Sequence, residues 1–323
     1  MNSVTSLFAP VEADLQLLTD NLKHLVGAKH PILYAAAEYL FEVSGKRLRP
    51  AIVLLVSRAT RPDQEITPRH RRLAEITEMI HTASLVHDDV VDESALRRNM
   101  PTVHSHFGNR VAVLAGDFLF AQSSWYLANL DNLEVVKLLS QVIMDMAEGE
   151  IQQGLNGFNT AISLEEYIQK SYYKTASLIA NSAKAAGVLS GVSEATAKHL
   201  YEYGRNLGLA FQIVDDVFDF TSSAETLGKP AGADMASGNL TAPVLFALEE
   251  KPSLEVLLER QFKEAGDLEE ALMLVAESSG IARSQELAKQ YIAIAVQELQ
   301  DLPTSESHQS LVDLADYVIS RLY

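Results

Sequence analysis

Two stretches of the chain decide its fold: SLVHDDVVD at residues 84–92 and FQIVDDVFD at residues 211–219. Both contain Asp-Asp-x-x-Asp, and both lie in apolar sequence whose hydrophobic residues recur about every 3.6 positions, the period of an α-helix. The sequence therefore predicts two helices that carry the same cluster of aspartates.

The spacing within each cluster indicates a metal site. Residues four positions apart share a face of a helix, so Asp88 is expected to pair with Asp92, and Asp215 with Asp219. Unpaired buried carboxylates are costly, and paired carboxylate oxygens suit Mg²⁺, which usually bridges to substrate phosphates. The predicted metal ligands are Asp88, Asp89, Asp92, Asp215, Asp216 and Asp219. Two solvated helix faces are the alternative, which is harder to reconcile with identical clusters on two apolar helices.

The rest of the chain carries the signals of further helices. Residues 102–229 contain no proline, which favours long helices over a turn-rich β fold. Thr67-Pro68 suits an N-cap followed by the first helical position, and SLEE at residues 163–166 is a capping box. We therefore predict one all-α domain over residues 1–323, with residues 1–28 as an N-terminal helix or arm.

Composition narrows the range of functions. The 323 residues include 26 Lys and Arg against 43 Asp and Glu, a formal net charge of −17. This balance argues against nucleic acid and anionic membrane surfaces as partners. Cysteine is absent, which excludes disulfides and a cysteine nucleophile. No apolar run approaches the ~20 residues of a transmembrane helix, and the N-terminus resembles no signal peptide, so we predict a cytoplasmic protein.

Basic residues are concentrated in a few places of this acidic chain. GKRLRP at residues 45–50 forms a dense patch, Arg97 and Arg98 follow the first aspartate cluster, and Lys174 and Lys229 lie further along. Arginine forks and lysine point charges are what phosphate oxygens need. Combined with the two carboxylate clusters, they predict a site for two anionic groups, one held through Mg²⁺ and the other by Arg and Lys directly.

Five motifs in this order resemble the trans-isoprenyl diphosphate synthase family. They are GKxxRP at residues 45–50, the first aspartate motif with Arg97-Arg98, Lys174-Thr175, Phe211-Gln212 with the second aspartate motif, and Gly228-Lys229, and GDFL at residues 116–119 also matches. The resemblance runs from about Lys29 to Tyr323. It implies the isoprenoid synthase fold, a single large helical bundle around a central cavity, with Mg²⁺ dependence and a homodimer.

The resemblance also implies a role for each matching residue. Asp88 and Asp92 would hold two Mg²⁺ ions on an allylic diphosphate, and Asp215, supported by Asp219, would hold a third. The residues implied to bind that substrate are Arg97, Lys174, Thr175, Gln212 and Lys229, and those implied to bind isopentenyl diphosphate are Lys46, Arg49, His81 and Arg98. The implied reaction is ionisation of the allylic diphosphate, attack by the double bond of isopentenyl diphosphate, and loss of a proton.

One position departs from the family pattern. Many relatives carry a second Gly-Lys about ten residues beyond the first, whereas this chain has Gly238-Asn239. One basic contact of the pattern is therefore missing at position 239. The segment GNLTAP at residues 238–243 looks like the variant of quinone-side-chain synthases in photosynthetic organisms.

The resemblance also bears on product length. Ala83 and Ser84, one turn before Asp88, are small, whereas a bulky aromatic there gives short products in the resembling family. The next barrier to the growing product is predicted on a helix over residues 135–153, at Leu139, Val142, Ile143 and Met146. We therefore predict a long, solanesyl-like product that serves as a quinone side chain, made from a dimethylallyl, geranyl, farnesyl or geranylgeranyl primer.

Four other functions are compatible with parts of the sequence. A geranylgeranyl diphosphate synthase would share every motif. A metal phosphohydrolase could use His87-Asp88, although no upstream histidine lies in a supporting motif. A terpene cyclase would not need the basic patch at residues 45–50 or the second aspartate motif. A non-catalytic partner subunit would usually lack one aspartate motif, and both are intact here.

Overall fold

The computed structural model describes residues 7–25, 30–42, 47–97, 100–221 and 231–322. These residues are almost entirely helical, which confirms the all-α prediction. The helices are α1 (Glu12–Leu25), α2 (Pro31–Glu42), α3 (Leu48–Thr60), α4 (Pro68–Val91), α5 (Val103–Phe107), α6 (Asn109–Ala128), α7 (Leu133–Leu155), α8 (Leu164–Ser171), α9 (Ser177–Ser190), α10 (Glu194–Thr221), α11 (Ala233–Ala236), α12 (Ala242–Glu250), α13 (Ser253–Glu259), α14 (Asp267–Glu277), α15 (Gly280–Gln297) and α16 (Glu306–Ser320). A 3₁₀ turn over Ala9–Val11 precedes α1, and a π-helical segment, Tyr172–Ala176, joins α8 to α9.

Two short strands, which no sequence pattern predicted, follow the first aspartate motif. Strand β1 (Leu96–Arg97) pairs antiparallel with β2 (Met100–Pro101), directly after the first aspartate motif. Each strand has two residues, which is too short to show the alternation of apolar and polar residues that identifies a strand. The hairpin nevertheless matters, because it returns Arg97 toward α4.

The helix signals read from the sequence are confirmed where the structure describes them. The side chain of Thr67 accepts the backbone N–H of His70, and Pro68 is the first residue of α4. At the start of α8, Ser163 and Glu166 form the reciprocal bonds of a capping box. Local signals therefore set the start of α4, whose other end carries the first aspartate motif.

The chain divides into two compact units according to its internal contacts. Unit 1 comprises Met1–Ile143, Leu178–Tyr201 and Leu299–Asp313, and unit 2 comprises Met144–Ser177, Glu202–Glu298 and Leu314–Tyr323. In unit 1 the apolar face of α4 is fully buried at Leu73, Ile76 and Ile80. In unit 2 the apolar face of α10 is buried at Val214 and Val217. Each unit thus anchors one aspartate motif through the buried face of its helix.

A buried histidine near the start of α4 makes the stability of unit 1 sensitive to pH. The Nδ1 atom of His70 lies 2.7 Å from the hydroxyl of Thr67, and its Nε2 atom lies 3.1 Å from that of Ser190. Burial lowers the pKa of His70 from 6.5 to about 4, because it disfavours the charged ring.

This shift predicts a loss of stability in mild acid. Below pH 6.5 His70 becomes protonated in the unfolded chain but stays neutral in the folded chain. The free energy of unfolding is therefore fully retained above pH 6.5 and falls as the pH is lowered toward 4. By pH 5 the contribution of His70 should have fallen by about 2 kcal/mol. Urea unfolding at pH 7 and pH 5 should show this difference in the wild type and a smaller one in His70→Gln. An equal pH dependence in both proteins would contradict a neutral His70.

Candidate active site

The first aspartate motif occupies the C-terminal end of α4 in unit 1. Asp92 is the C-cap residue, and its backbone N–H donates to the carbonyl of Asp88 at 2.8 Å. The four-residue relation of the two aspartates is therefore preserved. Asp88 is half-buried and Asp92 is exposed, whereas Asp89 is buried. Because a helix C-terminus carries partial negative charge, two carboxylates there favour binding of a cation.

Asp89 and Arg97 form a close ion pair beside this motif. The Nε atom of Arg97 lies 2.9 and 3.0 Å from the two carboxylate oxygens of Asp89, and Nη2 lies 2.7 Å from Oδ1. The side chain of Arg97 remains 38% exposed, so part of the guanidinium can meet a ligand. The structure thus places Arg97 at the first motif, and Asp89 holds it there. The predicted metal-binding role of Asp89 stays a prediction.

Two residues predicted to bind isopentenyl diphosphate are brought together. The Nη1 atom of Arg49 on α3 lies 3.1 Å from the Nε2 atom of His81 on α4. His81 precedes Asp88 by seven residues, two helical turns or about 10 Å along the same side of α4. Arg47, which lies in the basic patch at residues 45–50 but was not among the residues predicted to bind substrate, forms an ion pair with Glu78. Lys46 and Arg98 lie outside the described residues.

A cleft adjoins these groups in unit 1. Arg47, His81 and Arg97 line its polar side together with Glu78 and Asp89, which pair with the two arginines, and Val86 and Val103 contribute to its apolar side. Such a cleft combines what an amphiphilic anion requires, namely cations for a head group and apolar surface for a chain.

The GDFL segment has a structural role that follows from its glycine. A Cβ atom on Gly116 of α6 would lie 2.2 Å from Nε2 of His87, so α4 can pack this closely because residue 116 has no side chain. The same Nε2 atom lies 3.1 Å from the carbonyl oxygen of Val113. Gly116 therefore fixes the position of the residue next to Asp88.

We expect Gly116→Ala to destabilise the protein and to slow catalysis. Displacing His87 should cost about 1–3 kcal/mol of stability through overpacking, and a small shift of Asp88 should lower kcat by more than tenfold. Gly154→Ala is the matched control, because a Cβ atom there meets nothing within 4 Å. Thermal unfolding and steady-state kinetics measure both effects. Equal behaviour of the two variants would refute the close-packing explanation.

The second motif places its three aspartates in different environments. Asp215 is partly exposed and pairs with Arg321 near the end of the chain, with Nη2 2.8 Å from Oδ1. The guanidinium of Arg321 lies 4.9 Å from the ring centres of both Phe211 and Phe218. Arg321 was not predicted, because no pattern in the sequence joins the C-terminal helix to a motif more than 100 residues away.

Asp216 lies at the centre of a buried network. The hydroxyl of Tyr167 donates to its Oδ2 at 2.5 Å, and Nε2 of Gln212 donates to its Oδ1 at 2.8 Å. The hydroxyl of Thr175 donates to Gln212 at 2.6 Å, so two predicted substrate-binding residues meet here. Burial raises the pKa of Asp216 to about 7, although the bonds from Tyr167 and Gln212 act in the opposite direction.

Asp219 is hydrogen-bonded to residues at the start of α11. Its Oδ2 accepts the backbone N–H of Asp234 at 3.1 Å, and its carbonyl accepts the N–H of Gly232 at 2.8 Å. The side chain is 1% exposed. Asp219 is therefore held by bonds to the chain after α10, and its predicted role in supporting Asp215 at a metal ion stays a prediction. Lys229 lies outside the described residues.

Lys174 and Thr175 lie in the π-helical segment between α8 and α9. The extra residue in such a turn redirects side chains, and π-bulges are frequent at functional sites. The ammonium of Lys174 lies 2.9 Å from a carboxylate oxygen of Glu150 and 3.1 Å from the amide oxygen of Gln153. Gly149 permits this approach, because a Cβ atom there would lie 2.9 Å from that of Tyr173. Glu150 and Gln153 were not predicted as site residues, although both lie on the helix predicted over residues 135–153.

In the part of the chain that the structure describes, no three His, Asp or Glu side chains converge on one point as a ready-made metal site. Nor is any helix among the described residues long and apolar enough to cross a membrane.

The family of this chain follows from comparison with known proteins. The polyprenyl synthetase family model matches residues 30–275. A prenyl transferase of Synechocystis sp. is 70% identical over the whole length of both chains. Solanesyl-diphosphate synthase 2, chloroplastic, of Oryza sativa subsp. japonica is 56% identical over 99% of this chain and 80% of its own. The crystal structure of a decaprenyl diphosphate synthase from Rhodobacter capsulatus superimposes with a TM-score of 0.92 at 33% identity, covering 99% of this chain and all of the other.

The chain therefore belongs to the polyprenyl synthetase family. It is a prenyltransferase with the all-α isoprenoid synthase fold, so the resemblance drawn from the five motifs, and the fold class and the class of enzyme that it implies, are confirmed.

Proposed function

We propose that the protein condenses isopentenyl diphosphate with an allylic diphosphate to form a long-chain all-trans polyprenyl diphosphate. The observation that carries the proposal is that each Asp-Asp-x-x-Asp motif lies near the C-terminal end of a buried helix with basic groups beside it. Arg97 adjoins the first motif, and Arg321 adjoins the second. The solanesyl and decaprenyl synthases among its relatives support a long product.

The carboxylates of both motifs fit Mg²⁺. Their donors are hard oxygens, and they lie where the helix dipole is negative, so binding a cation relieves an unfavourable charge. Asp88 and Asp92 would hold two ions, and Asp215, with Asp219 behind it, would hold the third. When bound, these ions act as Lewis acids that polarise the diphosphate leaving group. Asp89 and Asp216 complete the predicted ligand set.

The remaining residues bind and orient the two substrates. Arg97 and Lys174 contact the allylic diphosphate, and Lys229 completes this set. Thr175 and Gln212, joined by their hydrogen bond, form a polar wall beside the second motif. Arg49 and His81, with Lys46 and Arg98, bind the diphosphate of isopentenyl diphosphate. Apolar walls exclude water, which protects the allylic cation from hydrolysis.

The length of the product depends on the residues of α4 that precede Asp88 on the same side of the helix, toward its N-terminus. Ser84 is half-buried and small, so it leaves room for a growing chain. Nine isoprene units extend about 45 Å, whereas the 16 residues from Ser84 back to Pro68 rise about 24 Å. A product of that length must bend or leave the bundle. On α7, Leu139 and Val142 are fully buried, and Ile143 and Met146 are half-buried; these four form the proposed further barrier.

A homodimer is the proposed assembly. On α6, Val113, Leu114 and Trp125 are 40, 51 and 63% exposed. Residues 11 or 12 positions apart lie three turns apart on one side of a helix, so these side chains share a face, which also carries the exposed Asp117. A second copy of the chain would cover it. We also propose that the chain forms one domain, because each compact unit is built from three separate stretches of the chain. A cytoplasmic location is a further proposal.

The reaction can be tested by its dependence on both substrates. We expect release of inorganic diphosphate to require isopentenyl diphosphate, an allylic diphosphate and Mg²⁺ together. Release of inorganic phosphate from a nucleotide would instead indicate a metal phosphohydrolase, and consumption of the allylic substrate alone would indicate a cyclase. No turnover of the pure protein with both substrates would indicate a non-catalytic subunit.

A further inference from the structure

A buried lysine in unit 2 lies against the position where the family pattern loses a basic residue. Lys170, in the last turn of α8, is 8% exposed. Its ammonium donates to the side-chain oxygen of Asn239 at 2.5 Å. Asn239 is the residue that stands where many relatives carry the lysine of a second Gly-Lys. The structure thus brings a positive charge to position 239 from another helix.

The loop that presents Asn239 is fixed to the second aspartate motif. The backbone N–H of Asn239 donates to the carbonyl of Asp234 at 2.9 Å, and the N–H of Asp234 donates to Asp219 at 3.1 Å. On its other side, the carbonyl of Gly238 accepts the N–H of Phe158 at 2.9 Å. Position 239 therefore has a defined place relative to the motif, and so does the ammonium that Asn239 holds.

The surroundings of Lys170 include a residue of the second aspartate motif. Its ammonium lies 5.7 Å from the ring centre of Tyr167, whose hydroxyl is bonded to Asp216. Lys174 follows four residues later, and Asp216, Asp234 and Glu150 are the carboxylates whose charges act on Lys170. Burying an ammonium is costly unless neighbouring charges or a ligand compensate it. The carboxylates named above supply part of this compensation, and an anionic ligand beside the neutral Asn239 would add to it.

We propose that Lys170 is a binding residue for the diphosphate of the allylic substrate and replaces the basic contact missing at position 239, while Asn239 is its positioning residue. This inference rests on the proposed function, because the anion is the diphosphate of that reaction. The site thus keeps a positive charge, but a lysine at the end of α8 supplies it here, whereas in many relatives a lysine in the loop after α11 supplies it.

Binding of inorganic diphosphate in the presence of Mg²⁺ tests this assignment without requiring turnover. In the full-length protein, Lys170→Met should weaken this binding at least tenfold, since a charge-assisted hydrogen bond contributes about 1.5–3 kcal/mol. The KM for the allylic substrate should rise more than kcat falls. The double variant Lys170→Met/Asn239→Lys returns an ammonium to the same place and should restore binding to within about threefold.

Lys251→Met is the matched control, because Lys251 is a lysine of unit 2 that pairs with the exposed Glu277. It should bind diphosphate like the wild type. Binding by Lys170→Met within threefold of wild type, with a lowered melting temperature, would overturn the proposal and leave Lys170 a structural counter-charge. A double variant that binds no better than Lys170→Met would also overturn it.

If Lys170→Met fails to fold, the diphosphate affinity of the double variant alone tests the proposal. An affinity of the double variant equal to that of the wild type would support the proposal, and an affinity weaker by tenfold or more would overturn it. Failure of the proposed function is recognised separately, as the absence of prenyl product from the wild type under conditions in which it binds diphosphate.

Discussion

Replacing Asp88 with alanine should lower kcat/KM for prenyl transfer by at least about a thousandfold and leave the helical content unchanged. The carboxylate lies on the last turn of α4 and is half-buried, so it contributes charge more than packing. Asp215→Ala should have an equal effect, because Asp215 is the partly exposed carboxylate of the second motif. Steady-state kinetics with both substrates, together with circular dichroism, measure the two properties.

Asp63→Ala is the control for these variants, since Asp63 is exposed in the turn between α3 and α4. It should keep wild-type activity. Activity within tenfold of wild type in Asp88→Ala or Asp215→Ala would show that the altered carboxylate is not a metal ligand. Loss of helical content would instead indicate a structural role.

Replacing Ser84 with phenylalanine should shorten the product to three or four isoprene units. Ser84 lies one turn before Asp88, and its hydroxyl donates to the carbonyl of His81 at 2.9 Å. It is half-buried, so a larger side chain can project into the path of the product. Ala83 is less suitable, because it is fully buried and Ala83→Tyr would overpack unit 1.

Chromatography of the products of Ser84→Phe and of the control Ser84→Ala measures the effect. The alanine variant removes the hydroxyl and keeps the small size, so its products should match those of the wild type. An unchanged length in Ser84→Phe would contradict the open path beside Ser84.

The sequence predicted features that local chemistry determines. Thr67 and Ser163 cap their helices because each side chain can reach a backbone N–H three residues on, and this geometry is encoded locally. The four-residue pairing of Asp88 with Asp92 follows equally from the helix period. The meeting of Arg49 with His81 was implied by the resemblance and could not have been obtained from spacing.

The contacts that escaped prediction join residues through tertiary structure. Arg97 reaches Asp89 through a hairpin whose strands are too short to recognise. Arg321 reaches Asp215 from the last helix of the chain. The π-helical segment that positions Lys174 depends on the close approach of Gly149, which no helix signal in the sequence encodes.

The chain length of the wild-type product tests the central claim most directly. The purified protein is incubated with labelled isopentenyl diphosphate, farnesyl or geranylgeranyl diphosphate as primer, and Mg²⁺, and the dephosphorylated products are separated by reversed-phase chromatography. We expect a principal product of about nine isoprene units, whose extended length of about 45 Å well exceeds the rise of α4 from Ser84. A principal product of four units would contradict the account and identify a geranylgeranyl diphosphate synthase.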